Sequence, residues 1–159
     1  MAAQKADLIV VDGVQMELYS NPLEEFWTRR HKKHPSFYEV DVCRRGYIAT
    51  WEIRENQLFL IDIDGIVEKQ SFFGRKSVKC TLKMLFPKSG KAGIKADWFS
   101  GKLRIPRGKM TQYEHSGYDS RFEKELILTI ENGNLLKMAT LDYTQRRLVV
   151  NTAPAITQG

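Results

Sequence analysis

Four turn dipeptides in a short chain constrain the fold more than any other feature of this sequence. They are Asp12-Gly13, Asp64-Gly65, Ser100-Gly101 and Asn132-Gly133, and runs rich in β-branched and aromatic residues flank them. Glycine adopts a positive φ without steric cost, and Asp and Asn tolerate it, so such pairs are typical of tight hairpin turns. The dipeptides therefore predict a largely antiparallel β structure.

The central hairpin can be predicted in register. Residues 46–54 alternate between apolar and polar side chains, and a second β-type run follows the pair Glu55-Asn56. Period-two alternation is the pattern of a strand with one buried face. A two-residue turn at Glu55-Asn56 sets Ile53 opposite Leu58 and Trp51 opposite Leu60. The Asp64-Gly65 turn would then send residues 66–73 back as a third strand.

Two more hairpins are expected further along the chain. One would pair residues 94–99 with residues 102–106 around Ser100-Gly101, with Trp98 opposite Leu103 and Asp97 opposite Arg104. The other would pair residues 122–131 with residues 134–141, although residues 135–141 also fit a helix.

One helix is clearly indicated near the N-terminus. Asn21 suits the cap, Pro22 the first helical position and Glu24 the third position of a capping box, and His34-Pro35 would end the helix. An apolar stripe makes this helix amphipathic, formed by Leu23, Phe26 and Trp27. A second short helix fits residues 76–85, where a strand is the alternative.

These elements predict an α+β fold, mainly an antiparallel sheet of hairpins curled as a barrel or sandwich, with the N-terminal amphipathic helix. A short second helix joins it if residues 76–85 are helical rather than a strand. The chain of 159 residues has the size of one domain, which we assign to residues 1–150, followed by a frayed tail at 151–159.

Several functional classes lack their sequence signatures. No apolar run approaches the roughly 20 residues that span a bilayer, and no secretory signal is read, so a cytoplasmic protein without a membrane partner is expected. Two cysteines, Cys43 and Cys80, are too few for a disulfide framework or a four-thiolate metal site. No nucleotide-binding, nucleophile-elbow or zinc motif occurs, which favours a non-catalytic protein with no metal and no cofactor.

Positive charge is concentrated in residues 69–112, which we call the basic segment. It holds twelve Lys and Arg residues and a single acid, Asp97, whereas the whole chain has a net charge of +6. Five aromatic residues are interleaved with these bases: Phe72, Phe73, Phe86, Trp98 and Phe99. Bases with aromatics are typical of single-stranded nucleic-acid surfaces. The alternative is that the aromatics form core and the lysines protect an exposed strand edge.

The candidate binding residues lie in the basic segment and in the polar loop that follows it: Lys95, Asp97, Trp98, Lys102, Arg104, Arg107, His115 and Tyr118. Asp97 and Arg104 would form either a structural ion pair or an anion site in which Asp97 positions Arg104. His115 follows Glu114, so acid–base chemistry is available in this loop.

The function predicted from these features is non-catalytic binding of an acidic partner through the basic segment, as in bacterial or phage proteins of the inhibitor or immunity type. A single-stranded nucleic-acid-binding domain is one alternative. A small enzyme acting on an anionic substrate is another, and it requires Asp62, Asp97, Arg104 and His115 to converge. Asp62 itself would lie either at a strand end in water or buried with a partner.

Five strings of the sequence resemble a family of small uncharacterised bacterial proteins, over roughly residues 16–133: 46–53 (GYIATWEI), 60–65 (LIDIDG), 96–106 (ADWFSGKLRIP), 19–23 (YSNPL) and 115–118 (HSGY). The resemblance implies a bacterial or phage origin and a single β-rich domain. It assigns no catalytic or binding residue.

Overall fold

The structure, a computed structural model, describes residues 3–144 and 147–151. The tail predicted at 151–159 lies outside these residues, apart from Asn151 at the end of a strand. The elements are β1 (Asp7–Val11), β2 (Val14–Leu18), α1 (Pro22–Arg29), β3 (Tyr47–Arg54), β4 (Gln57–Ser71), β5 (Gly74–Lys79), α2 (Leu82–Leu85), β6 (Ile94–Lys95), β7 (Gly101–Gln112), β8 (Arg121–Glu131), β9 (Asn134–Asp142) and β10 (Arg147–Asn151).

The strands form one sheet in the order β2-β1-β3-β4-β9-β8-β7, with β10 on β9 and with β5 and β6 on β4. Among these described strands, β1 and β3 pair in parallel and the other pairs are antiparallel, so the sheet is mixed. Beyond the end of β2, the Tyr19 N–H donates to the Arg104 carbonyl at 2.7 Å, which brings the two ends of the strand path close together. The predicted β-rich α+β fold is confirmed.

Three of the predicted turns are confirmed. Asp12, Glu55 and Asn132 all adopt positive φ, at 51°, 51° and 49°. The short polar side chains of Asp12 and Asn132 tolerate this conformation. In the central hairpin Ile53 lies opposite Leu58 and Trp51 lies opposite Leu60, as predicted. Residues 134–142 form the strand β9 rather than a helix.

The predicted turn at Asp64-Gly65 is wrong, because both residues lie inside β4, opposite Ile48 and Tyr47. Gly65 is required for close packing instead. A Cβ there would lie 2.9 Å from the Gly46 carbonyl oxygen and 3.1 Å from the side chains of Phe37 and Tyr47. The strand therefore continues to Ser71, and the chain turns at residues 72–73.

The predicted hairpin around Ser100-Gly101 is also wrong. Residues 94–95 pair with β4, where Lys95 lies opposite Phe59, and Gly101 begins β7 opposite Ile130 of β8. Trp98 is therefore not the cross-strand partner of Leu103. Partners distant in sequence replace the local pairing, because they complete the main sheet.

Helix α1 begins at Pro22 as predicted but ends at Arg29, before His34-Pro35. Asn21 makes no side-chain cap. Its backbone carbonyl accepts from the Glu24 N–H at 3.2 Å, and its side chain donates to the Tyr118 hydroxyl. His34 folds back onto the helix, with its ring 4.2 Å from that of Trp27.

The region predicted as either a second helix or a strand contains both. Residues 74–79 form β5, and a single helical turn, α2, follows at Leu82–Leu85. The Thr81 hydroxyl caps this turn by accepting from the Met84 N–H at 3.3 Å.

The core lies between one face of the sheet and α1, and its largest fully buried side chains include Trp51, Tyr47, Leu23 and Leu103. No helix in the described part of the chain is long and apolar enough to cross a membrane.

Candidate functional site

The five aromatic residues of the basic segment fall into two groups. Phe86, Trp98 and Phe99 are buried in the core, as the non-functional alternative predicts. Phe72 and Phe73 are both 97% exposed. Of these five rings, Phe72 and Phe73 are the ones open to a partner, and they lie between β4 and β5.

Trp98 is buried and is engaged within the fold. Its indole N–H donates to the Pro22 carbonyl at 2.9 Å, its ring stacks on Phe86 at 5.6 Å, and Phe26 of α1 packs against it at 4.9 Å. The neighbouring Lys95 donates to the Asn134 side chain at 2.8 Å. Both predicted site residues therefore attach this segment to the rest of the fold.

The predicted pairing of Asp97 with Arg104 is wrong. Asp97 is exposed and forms an ion pair with Arg30 at 2.8 Å. Arg104 lies opposite Ile127 of β8 and forms an ion pair with Glu125 at 2.6 Å, whose side chain is only 8% exposed. The hydrogen bond that Arg104 donates to Glu125 is the main cause of its raised pKa. Arg104 thus has a structural partner of its own.

Arg104 also contributes to a polar, aromatic wall at the surface. Its guanidinium donates to the carbonyls of Tyr118 and Ser120 at 2.7 and 3.3 Å and lies 5.5 Å from the centre of the Tyr19 ring. Tyr19 in turn stacks on Tyr118 at 4.9 Å. A cleft of about 450 Å³ opens beside Arg104, lined also by Arg121, Glu125 and Tyr143 among others.

The four residues required for an enzyme do not converge. Asp62 is exposed opposite Thr50, because an irregularity in the β3–β4 register shifts it off the face shared by Trp51 and Leu60. His115 is exposed and contacts the Tyr113 hydroxyl at 3.0 Å. Within residues 3–144 no hydrogen bond or ion pair joins Asp62, Asp97 or His115 to another of the four.

A buried ion pair that was not predicted from the sequence lies under a second cleft. Asp7 is fully buried and accepts from Arg45 at 2.7 Å, from the Ala49 N–H at 3.0 Å and from the Trp51 indole at 3.1 Å. Burial raises the pKa of Asp7, and the charge of Arg45 acts in the opposite direction. The two residues are 38 positions apart and follow no motif, so no local signal could have identified them.

Tyr118 is the predicted site residue nearest to this buried pair. Its hydroxyl accepts from Asn21 at 2.9 Å and donates to the Lys5 carbonyl at 3.2 Å. It lines a cleft of about 380 Å³ together with Glu24, Arg45 and other residues. The Tyr118 hydroxyl bonds to Asn21 and to the Lys5 backbone, so it joins the N-terminal segment to the loop at 113–120. Arg45 and Glu24 are likewise engaged within the fold, with Asp7 and with the Tyr47 hydroxyl. The arrangement fits a structural junction.

A further exposed feature is the hairpin formed by residues 66–79, which we call the basic hairpin. It carries four bases and one acid, and the bases Lys69, Arg75, Lys76 and Lys79 are all exposed. Lys69 lies directly opposite Lys76, a like-charge pair that destabilises an isolated hairpin. At its base lies a cleft of about 370 Å³, which Lys33 and Lys69 help to line.

The remaining predicted site residues lie on β7, away from the basic hairpin. Lys102 is exposed, and its backbone carbonyl accepts from the Ser20 hydroxyl at 3.5 Å. Arg107 is exposed and contacts the Met16 sulfur at 2.6 Å.

Comparisons of the chain with protein-family models, with curated proteins and with solved structures return no match. The resemblance of the five strings to a bacterial family therefore stays a prediction. The basic hairpin and its surroundings are the features from which a function can be inferred.

Proposed function

We propose that this protein is a non-catalytic binding protein and that its basic hairpin binds an acidic partner. One observation carries the proposal. Two aromatic side chains, each 97% exposed, lie together at the tip of the hairpin, and exposed bases lie on the strands behind them. Large apolar side chains exposed together and rimmed by charge are typical of interaction sites.

The like-charge pair supports an anionic partner. Lys69 and Lys76 face each other across the two strands, and Glu68, the hairpin's acid, contacts Arg75 at 3.5 Å instead. Repulsion between facing lysines costs stability in the free protein, and an anion placed between them would relieve it. Lys33, beside Lys69, adds further positive charge on the same side.

The proposed site lies near the start of the basic segment, whereas the residues predicted from the sequence begin at Lys95. Trp98 and Arg104 are engaged inside the fold, whereas the basic hairpin has its charges and its rings in solvent. An acidic protein, as bound by inhibitor or immunity proteins, and a nucleic acid both remain partners of suitable charge.

The test compares two triple variants that remove the same charge from different places. K69Q/R75Q/K76Q neutralises the hairpin, and K102Q/R107Q/K109Q removes the three bases of β7 other than Arg104. Binding of a short heparin oligosaccharide, a polyanionic probe, is measured by titration at several salt concentrations. The slope of log K against log salt is negative, and removal of one base that pairs with the polyanion reduces its magnitude by about 1. The magnitude for the hairpin variant is therefore expected to be smaller by about 3 than that for the unmodified protein.

The β7 variant is the control, because its net charge is equal to that of the hairpin variant. It is expected to retain the slope of the unmodified protein. Equal reductions in the two variants, or a reduction in the β7 variant alone, would contradict the assignment of the site to the hairpin.

A further inference from the structure

The tip of the basic hairpin presents two apolar side chains that have no hydrogen-bonding groups of their own. Phe72 and Phe73 occupy the turn, their ring centres are 5.5 Å apart and their planes are inclined by 74°. Neither ring packs on the core, and the strand residues nearest to them carry no large apolar side chain: Gln70, Ser71, Arg75 and Lys76. Such a tip gains free energy only by entering an apolar environment outside the chain.

The bases lie on both faces of the hairpin. Directly opposite residues of an antiparallel pair share a face, and the faces alternate along each strand. Lys69 and Lys76 therefore lie on one face, while Arg75 and Lys79 lie on the other. Behind the aromatic tip, Lys69 and Lys76 on one face and Arg75 on the other form a positive collar, in which Glu68 contacts Arg75 at 3.5 Å. Lys79 lies further back, about 20 Å from Phe73 along the strand.

The distance from the collar to the tip matches the depth of a lipid headgroup layer. A strand rises about 3.3 Å per residue, so Lys69 lies about 10 Å before Phe72 and Arg75 about 7 Å beyond Phe73. Apolar groups that dock at a membrane surface enter about 5–10 Å into the boundary between headgroups and acyl chains. At that depth the collar reaches the phosphates.

We propose that the acidic partner is an anionic lipid surface, into which Phe72 and Phe73 insert while Lys69, Arg75 and Lys76 contact lipid phosphates. This inference rests on the proposed function and names its partner. The expectation of no membrane partner was drawn from the missing apolar run, and a two-residue tip that docks at the surface needs no such run.

A planar lipid surface fits the collar better than a single strand of nucleic acid does. A strand would follow one face of the hairpin and leave the bases of the other face unused. Stacked bases also need open ring faces in succession, whereas the rings of Phe72 and Phe73 are steeply inclined to each other. A surface that surrounds the tip contacts both faces at once.

The test is sedimentation with vesicles of phosphatidylcholine alone or mixed with phosphatidylglycerol. The unmodified protein is expected to bind the mixed vesicles, more weakly as salt rises, and to leave the neutral vesicles unbound. F72S/F73S is expected to bind the mixed vesicles about 100-fold more weakly, since each buried Phe contributes at least about tenfold. Its affinity for heparin is expected to stay unchanged, because the bases remain.

Two control variants accompany this test. Y113S/Y143S removes two exposed aromatic rings outside the hairpin and is expected to bind the vesicles normally. The affinity of K69Q/R75Q/K76Q for the mixed vesicles is expected to fall by about fivefold for each base removed. Both Phe rings are almost fully exposed, so their replacement leaves the fold intact, which a denaturation curve verifies.

The outcomes separate the two proposals. The lipid proposal is overturned if F72S/F73S binds the vesicles as tightly as the unmodified protein. It is also overturned if the unmodified protein binds no vesicles. In either case the proposed function stands as long as heparin binding still requires the hairpin. Phe-dependent binding of a single-stranded oligonucleotide in place of vesicles also overturns the lipid proposal and assigns a nucleic acid. Heparin binding that is independent of the hairpin overturns both.

Discussion

Replacement of Asp7 with alanine is expected to lower the free energy of unfolding by about 3–5 kcal/mol. The variant leaves the Arg45 guanidinium, whose side chain is 7% exposed, without its counter-charge. It also removes the acceptor for the Ala49 N–H and for the Trp51 indole in the centre of the core. A buried charge and two buried donors left unpaired are among the most destabilising changes that one substitution can make.

Urea denaturation at neutral pH measures this destabilisation, and D97A is its matched control. Asp97 also forms an ion pair with an arginine, but both side chains are largely exposed, and such pairs contribute at most about 1 kcal/mol. The D7A/R45M double variant is expected to recover part of the stability, because no uncompensated charge then remains buried. Equal stabilities of D7A and D97A would contradict this account, because they would show that the buried pair stabilises the fold no more than the exposed one.

Replacement of Trp98 with alanine is expected to destabilise the protein by about 3–5 kcal/mol. The substitution removes the ring that stacks on Phe86 and contacts Phe26, and it removes the hydrogen bond to the Pro22 carbonyl at the start of α1. W98F retains most of the ring packing, so its destabilisation is expected to be smaller.

Thermal or urea unfolding measures the effect, with F72A as the comparison. Phe72 is also an aromatic residue of the basic segment, but it is exposed, and its replacement is expected to change stability by no more than about 0.5 kcal/mol. The opposite ranking, with Trp98 neutral and Phe72 destabilising, would contradict the division of these aromatics into core and tip.

Turns that depend on local backbone preference could be predicted from the sequence. Asp12, Glu55 and Asn132 each adopt a positive φ that a short loop requires, and the register of the central hairpin follows from the length of its turn. These features need only residues that are adjacent in the chain.

Features decided by distant partners could not be predicted in this way. Gly65 lies inside β4, where Phe37 and Tyr47 pack against it, and Gly101 begins a strand because β8 pairs with it. A glycine after Asp or Ser is compatible with a turn and with close packing, and only the tertiary contacts distinguish the two.

The candidate site was predicted only in part for the same reason. The charge of the basic segment is visible in the sequence, but the burial of Trp98 and the pairing of Arg104 with Glu125 are not. One signal did point to the tip. The strands flanking Phe72 and Phe73 are almost entirely polar there, which leaves the two rings no apolar neighbours with which to be buried.

The central claim is that the basic hairpin is the binding surface, and chemical-shift mapping of the isotope-labelled protein tests it most directly. On addition of the short heparin oligosaccharide, the largest backbone amide shifts are expected within residues 68–79, with smaller changes beside Lys33. Because β7 is observed in the same spectrum, it serves as the internal comparison. Large shifts at Lys102, Arg107 and Lys109 with an unchanged hairpin would contradict the account.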